Sequence, residues 1–232
     1  MRQPPDRVET GFLRIPGYLR LEHREITLTA DIMFVNGFAF FTSLLRHIRL
    51  HTAEYTPVRT AEQLGKLLRR VINLYARAGY TVTTVLMDQE FEKIINLIPL
   101  IEINTSAARE HVGEIERSHR TTKERMRCIC NTLPYRYLPK EVTIHLVYFV
   151  LFWINSFVDP QGISCTFLSR EIITRWILDW NKHVRGLFGK YVQAHYDRDL
   201  TNTMAPRTFP ALYLDPTGNR QGTVKAFHLE TG

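Results

Sequence analysis

Cysteine is scarce in this chain of 232 residues: there are three, Cys128, Cys130 and Cys165, and no C-x-x-C pair. That excludes a closed disulfide framework, offers no structural zinc site, and predicts a reducing, intracellular setting. The first twenty residues lack the apolar h-region of a secretory signal, which agrees with that setting. No G-x-x-x-x-G-K-[ST] loop, G-x-G-x-x-G turn or G-x-S-x-G elbow occurs, so the motifs of nucleotide hydrolysis, dinucleotide binding and serine hydrolysis are all missing. There is no internal repeat or low-complexity tract. Long apolar runs reduce to one, VTIHLVYFVLFWINSFV from Val142 to Val158, which only reaches the lower limit of a bilayer span. Its His145, Asn155 and Ser156, and its stop at Asp159-Pro160, predict a buried helix and no membrane partner. Acidic charge is also in short supply. Thirty Lys+Arg against 23 Asp+Glu leave a net charge of +7, which favours a polyanionic partner such as nucleic acid.

What is present reads as a chain that buries a core: 44% apolar and 23% charged residues, with 12 Gly and 11 Pro. Residues 1–21 form an irregular arm with Pro4, Pro5 and Pro16. EITLTADIMFV from Glu25 is β-branched and apolar, Asn36-Gly37 marks a turn, and one or two further strands follow. Residues 60–78 open on Thr60 with Glu62 close behind, space Leu64, Leu67, Leu68, Val71 and Leu74 at helical intervals, and stop at Gly79. TVTTVLMD is a strand ending at Asp88, and LIPLIEINTS reads as another strand. A long charged helix is expected over 107–131 and an apolar one over 140–158. A spacer rich in small and polar residues follows, and then three strand-like runs, FGKYVQAHY, FPALYL and TVKAFHL. The expected domains are an arm (1–21), an α/β core (22–160), a linker (161–186) and a small C-terminal β-barrel (187–232).

The order of strand meander, helix, strand, strand, helix, helix is that of a ribonuclease H-like core, a mixed sheet flanked by helices. Asp31 stands out because an aspartate is disfavoured in an apolar strand and costly to bury unpaired. Asp88 ends a later strand, where it serves either as a turn residue or as a second carboxylate. Glu114 and Glu116 lie on the charged helix, where glutamates are ordinarily solvated. Glu116 is distinguished by Arg120, Lys123 and Arg127, four, seven and eleven residues on and therefore on one helical face. From Arg109 to Lys140 there are eight Lys/Arg and four Glu, so the basic excess is concentrated beside these acids. Mg²⁺ takes hard oxygen ligands, and two ions about 3.5–4 Å apart can serve an in-line displacement at phosphorus. Three converging carboxylates would suffice to hold them.

At these residues the chain resembles the integrase of copia-type retrotransposons, within the retroviral integrase superfamily. TADIMFVNG resembles the segment of the first aspartate and YTVTTVLMDQEFE that of the second. EHVGEIERSHRTTKER resembles the glutamate helix, with Gly113-Glu114-Ile115-Glu116-Arg117 on the family's G-x-x-E-R. NKHVRGLFGKYVQAHYD, TNTMAPRT and LDPTGNRQGTVKAFHLETG resemble the segment that follows the core, a small DNA-binding β-barrel in the family. The resemblance spans roughly residues 22–232. It implies metal-dependent 3′-end processing and strand transfer of element DNA, with Asp31, Asp88 and Glu116 holding two Mg²⁺ ions, for which Mn²⁺ can substitute. It also implies DNA ends gripped by Arg120 and Lys123 with Arg127 beyond, a homo-oligomer, and a nuclear location in a eukaryotic host. The chain departs from the family in two respects. Only 27 residues separate Asp88 from Glu116, fewer than in the family, which leaves Glu114 as the fallback glutamate. No His-His-Cys-Cys zinc module precedes the core. The alternative is a catalytically inactive, nucleic-acid-binding relic.

Other candidates read as structural. His111 and His119 are eight apart on the charged helix with no cysteine partner and are expected on its surface, without zinc. Cys128 and Cys130 point to different faces of that helix. Trp153, Trp176 and Trp180 are expected as core or domain-contact anchors rather than stacking platforms.

Overall fold

The computed structural model describes residues 12–99, 101–105, 113–195, 204 and 206–232. A short helix, α1 (Gly17–Glu22), leads into an antiparallel meander of β1 (Glu25–Val35), β2 (Phe38–Leu45) and β3 (His51–Tyr55). The β1–β2 turn places Asn36 and Gly37 at φ 48° and 81°. Two left-handed residues in succession match the right-handed twist of the strands, and Asn-Gly adopts them at least cost. Helix α2 (Ala61–Ala78) begins where the Thr60 side chain accepts a hydrogen bond from the Gln63 backbone N–H, and it ends at left-handed Gly79. The chain returns as β4 (Thr81–Met87), parallel to β1, and after further turns as β5 (Glu102–Thr105), parallel to β4. The sheet order is β3-β2-β1-β4-β5. That mixed five-stranded order, with helices on both faces, is the ribonuclease H-like arrangement expected from the sequence.

Between β4 and β5 the chain forms a 3₁₀ helix over Gln89–Leu97. Asp88 caps it, and Phe91 and Ile94, three residues apart on its inner side, are buried in the core. Leu97 therefore belongs to this helix, and the strand expected from residue 97 is confined to Glu102–Thr105 among the described residues. Helix α3 (Gly113–Thr132) carries the charged segment; its expected start at 107–112, with Arg109 and His111, lies outside the described residues. Helix α4 (Lys140–Ile154) stops four residues short of the expected end. The cause is Asn155, whose side chain accepts from the His51 N–H at 2.8 Å and donates to the His51 carbonyl at 2.7 Å, fixing the chain to the start of edge strand β3. Among the described residues no helix is long and apolar enough to cross a membrane.

Alternation along β1 divides the core in two. Even-numbered Ile26, Leu28, Ala30 and Ile32 join the cluster under α2, with Leu64, Leu67, Leu68, Val71 and Tyr75. Odd-numbered Met33 and Val35 join a second cluster with Met126 of α3 and Val142, Leu146 and Val150 of α4. The segment expected as a linker is packed. It holds α5 (Ser169–Thr174), whose Ile172 and Ile173 enter the first cluster, and α6 (Trp180–His183). Trp153 of α4 stacks on Trp180 at 5.9 Å, tying this segment to the core.

The C-terminal part is an antiparallel three-stranded sheet among the described residues, β6 (Tyr191–His195), β7 (Thr208–Pro216) and β8 (Val224–His228), in the order β6-β7-β8. It rests on α4: Tyr213 and Leu214 join the second cluster, and His145 Nδ1 lies 2.5 Å from the buried Asp215 carboxylate.

Candidate catalytic site

Asp31 is an odd-numbered residue of β1 and therefore faces α3. Its register partner on β2 is Thr42. On the other side, Ala30 pairs with Met87, so the next residues along the two parallel strands are Asp31 and Asp88. Strand pairing alone thus brings the two aspartates to neighbouring positions on the central strands, 57 residues apart in sequence.

Asp31 is only part-buried, and its two carboxylate oxygens differ. Oδ1 accepts the Ile32 backbone N–H at 2.7 Å, whereas Oδ2 faces His119 Nδ1 at 3.7 Å. The carboxyl pKa is raised to about 6. Burial is the main cause, the Ile32 N–H opposes it, and the negative charges of Asp88, Glu90 and Glu116 add to the rise. Three further carboxylates therefore act on Asp31 at once, and Glu116 is one of them. Glu114 is turned elsewhere, 3.1 Å from Arg46 Nε. Asp88 also has a local structural task, since its Oδ1 accepts the Gln89 N–H at 2.7 Å.

His119 departs from the surface position expected of it. Its side chain is 13% exposed and sits between Asp31 and β2, with Nε2 2.7 Å from Thr42 Oγ1. Its pKa is lowered to about 4 by burial first, then by Lys123 and His51. His51, one strand further out, is likewise lowered to about 4, mainly by burial, and its Nδ1 lies 2.7 Å from Ser118 Oγ. Neutral imidazoles thus line the inner side of α3. A usable signal was present in the sequence: Ile115, Ser118, Thr122 and Met126 fall at helical spacing and are the buried residues of α3, and His119 flanks that stripe.

On the outer side, Glu116, Arg120 and Arg127 are exposed and Lys123 is half-buried. Lys123 and Arg127 border a cavity of about 320 Å³ between the β1–β2 turn, α3 and α4, floored by Met126 and Leu146. Cys130 lines the same cavity, while Cys128 is exposed, so the two do point apart.

The donor set around Asp31 is chemically suited to a hard divalent cation, being made of carboxylate oxygens, although Glu90 is itself paired with Arg59 at 2.9 Å. Its spacing is open. Among the described residues no group of three or more His, Cys, Asp or Glu side chains is placed to hold a metal ion.

Strand order and strand register together define a ribonuclease H-like domain with an acidic centre on its two middle strands. No family model and no curated protein matches the chain in sequence. Solved structures similar to it include the catalytic core domain of BIV integrase, with 20% identity and a TM-score of 0.47, covering 64% of this chain and 93% of that one. The HTLV-2 integrase catalytic core domain, solved in complex with magnesium in a trimeric form, is similar at 14% identity and a TM-score of 0.45, covering 63% of this chain and 95% of that one.

Proposed function

We propose that this protein is an integrase-like, divalent-metal-dependent polynucleotidyl transferase of the copia retrotransposon type, carrying out 3′-end processing and strand transfer on DNA. The observation that carries this reading is Asp31: a carboxylate on the central strand, held at about pKa 6 by burial and by the charges of Asp88, Glu90 and Glu116. A fold does not accumulate mutually repelling carboxylates for stability, and a cation relieves them. Asp31, Asp88 and Glu116 would hold two Mg²⁺ ions, or Mn²⁺. Bound there, the ions would activate the attacking oxygen and stabilise the leaving one. Arg120, Lys123 and Arg127 bind the phosphate backbone along the outer face of α3 and set its direction toward Glu116. The C-terminal sheet, seated on α4, extends the DNA-binding surface, and the active form is a homo-oligomer.

The test is strand transfer by the purified chain on short duplexes that model element ends, with Mg²⁺ or Mn²⁺, beside Asp31→Asn. The expected result is joined product from the wild type and none from the variant, with DNA affinity retained. Full joining by Asp31→Asn would overturn the assignment. One observation favours a second reading, a relic that binds DNA without catalysis: the acidic residues are in electrostatic reach of one another but are not gathered to ligating distance. Salt-sensitive DNA binding without cutting or joining would select it.

A further inference from the structure

The cavity of about 320 Å³ between the β1–β2 turn, α3 and α4 lies apart from the acidic centre and has no task in the reading above. Its volume is at the lower end of the range for small-ligand sites, about 300–1,000 Å³, so it suits a single nucleotide and not a base pair. Its floor is apolar, with Met126 and Leu146 on it and Leu138 beside them. The charged residues that line it are both cationic, Lys123 and Arg127, and no acid borders it among the described residues.

An occupant must therefore offer an apolar face to the floor and negative charge to the α3 rim. Inorganic phosphate answers only the rim. Asn36, set at the mouth by the β1–β2 turn, and Asn131 also line the cavity, and each brings an amide with donors and an acceptor. A lipid anion would leave those amides nothing to bond, whereas a nucleotide meets all three features: a flat base for the floor, polar base edges for the amides, and a phosphate for the rim. Lys123 and Arg127 are one helical turn apart, about 6 Å along α3, so a phosphate backbone on that face passes the cavity mouth. A paired base is turned toward its partner strand; only an unpaired one is free to swing into the cavity.

We propose that this cavity holds the base of an unpaired nucleotide at the end of a DNA strand whose phosphates lie along Lys123 and Arg127. This rests on the DNA-binding reading above and deepens it, because the surface then prefers an end with an unpaired nucleotide to a blunt duplex. The apolar floor accepts the face of any base, so selection is for the unpaired state first and, through Asn36 and Asn131, for base identity second.

Cys130 lines the cavity and reports its occupancy, and the exposed Cys165 is the reference. The experiment is alkylation of the full chain by iodoacetamide in EDTA, read residue by residue by mass spectrometry, at alkaline pH because burial raises the Cys130 thiol pKa. It is run alone, with a blunt duplex, with the same duplex carrying one unpaired nucleotide at its 5′ or 3′ end, and with that end made abasic. The expected result is Cys130 labelling slowed at least about fivefold more by the unpaired nucleotide than by the blunt or abasic end, with Cys165 unchanged. Equal protection by all three ends, or protection by none of them while the duplex binds, would overturn the inference and leave the DNA-binding reading standing. No duplex binding at low salt would overturn both. Cys130→Phe, which fills the cavity from α3, should bring the affinities for the unpaired and blunt ends to the same value in fluorescence anisotropy, and a preference that survives it would also overturn the inference. The alkylation uses the wild-type chain, so its result does not depend on the variant folding.

Discussion

Helices α2 and α3 flank opposite faces of the same strand, β1, and are buried by opposite means. The 18 residues of α2 turn Leu64, Leu67, Leu68, Val71 and Tyr75 inward, an apolar stripe on the even-numbered side of β1. The 20 residues of α3 bury Ile115, Ser118, Thr122 and Met126, and place His119 over Asp31. One face is built from area removed from water, at about 25 cal/mol per Å². The other combines apolar Ile115 and Met126 with directed hydrogen bonds from Ser118 and His119, each worth about 1 kcal/mol net. A helix held by polar contacts contributes less to stability, and its side chains are aimed. That difference sets the aimed side chains of α3 over Asp31.

The comparison breaks first on stability. Leu68, fully buried in the α2 cluster, should cost about 2–5 kcal/mol on Leu68→Ala, through lost transfer energy and the cavity left behind. Thr122 is as deeply buried, but its hydroxyl donates only to the Ser118 carbonyl within the same helix, at 2.9 Å. Thr122→Val should cost no more than about 1 kcal/mol. Urea denaturation of the two variants checks this, and equal losses would erase the distinction between the helices.

The apolar side was also the legible side. The stripe of α2, its Thr60 cap and Gly79 stop, and the Asn36-Gly37 turn are local patterns, readable because period and cap chemistry act over a few residues. Asp31 was legible as an anomaly in an apolar strand, whereas Asp88, at a strand end, read equally as a turn residue or as a second carboxylate. The position of His119 was not read from the sequence, because a histidine among arginines on a charged helix looks solvated. Its burial depends on which register β2 takes against β1, since Thr42 must stand beside Asp31 to receive it. The end of α4 was missed for the same kind of reason: Asn155 stops the helix by bonding the backbone of His51, 104 residues away. The 3₁₀ helix after Asp88 escaped because its three-residue period is too short to distinguish from an irregular loop.

Acid sharpens the comparison, because the titrating groups with the largest shifts on the α3 side respond in opposite senses. His119 is neutral in the fold, with its pKa lowered to about 4. The unfolded chain takes up a proton near pH 6.5, so the stability this group contributes is present above pH 6.5 and is lost as pH falls toward 4. His51 behaves likewise. The wild type should lose roughly 2–3 kcal/mol per histidine across that window. His119→Gln should remove about half of the slope, as read by urea melts at pH 7.5, 6 and 4.5. An unchanged slope would mean that the ring is already charged in the folded protein.

Asp31 works the other way. Its folded pKa is raised to about 6, so the ionised carboxylate costs stability above that pH, and the cost disappears as pH falls toward the ordinary value near 3.8. Its side chain retains 30% of its exposure, which reduces the penalty to roughly 1–2 kcal/mol. Asp31→Asn should therefore be more stable than the wild type at pH 7.5, with the gap closing by pH 4.5. The same variant is the one expected to lose strand transfer. A gain in stability together with a loss of function is the signature of a residue kept for chemistry; a destabilised Asp31→Asn, which still offers an oxygen to the Ile32 N–H, would instead mean that the negative charge itself stabilises the fold.

The smallest expected effect distinguishes the two glutamates that share the first turn of α3. Glu114 pairs with Arg46 at 3.1 Å, with both side chains more than a third exposed, and such pairs are worth about 0–1 kcal/mol. Glu114→Gln should therefore shift the urea midpoint hardly at all. It should also leave intact the rise in melting temperature that Mg²⁺ or Mn²⁺ gives a chain whose folded state binds the ion. Glu116 acts on Asp31 through charge, so Glu116→Gln should lower the Asp31 pKa and abolish the metal-induced rise. Thermal melts of both variants with and without Mn²⁺ separate the roles. If the rise vanishes in Glu114→Gln and survives in Glu116→Gln, the third carboxylate is Glu114, and Arg46 must release it before an ion can bind.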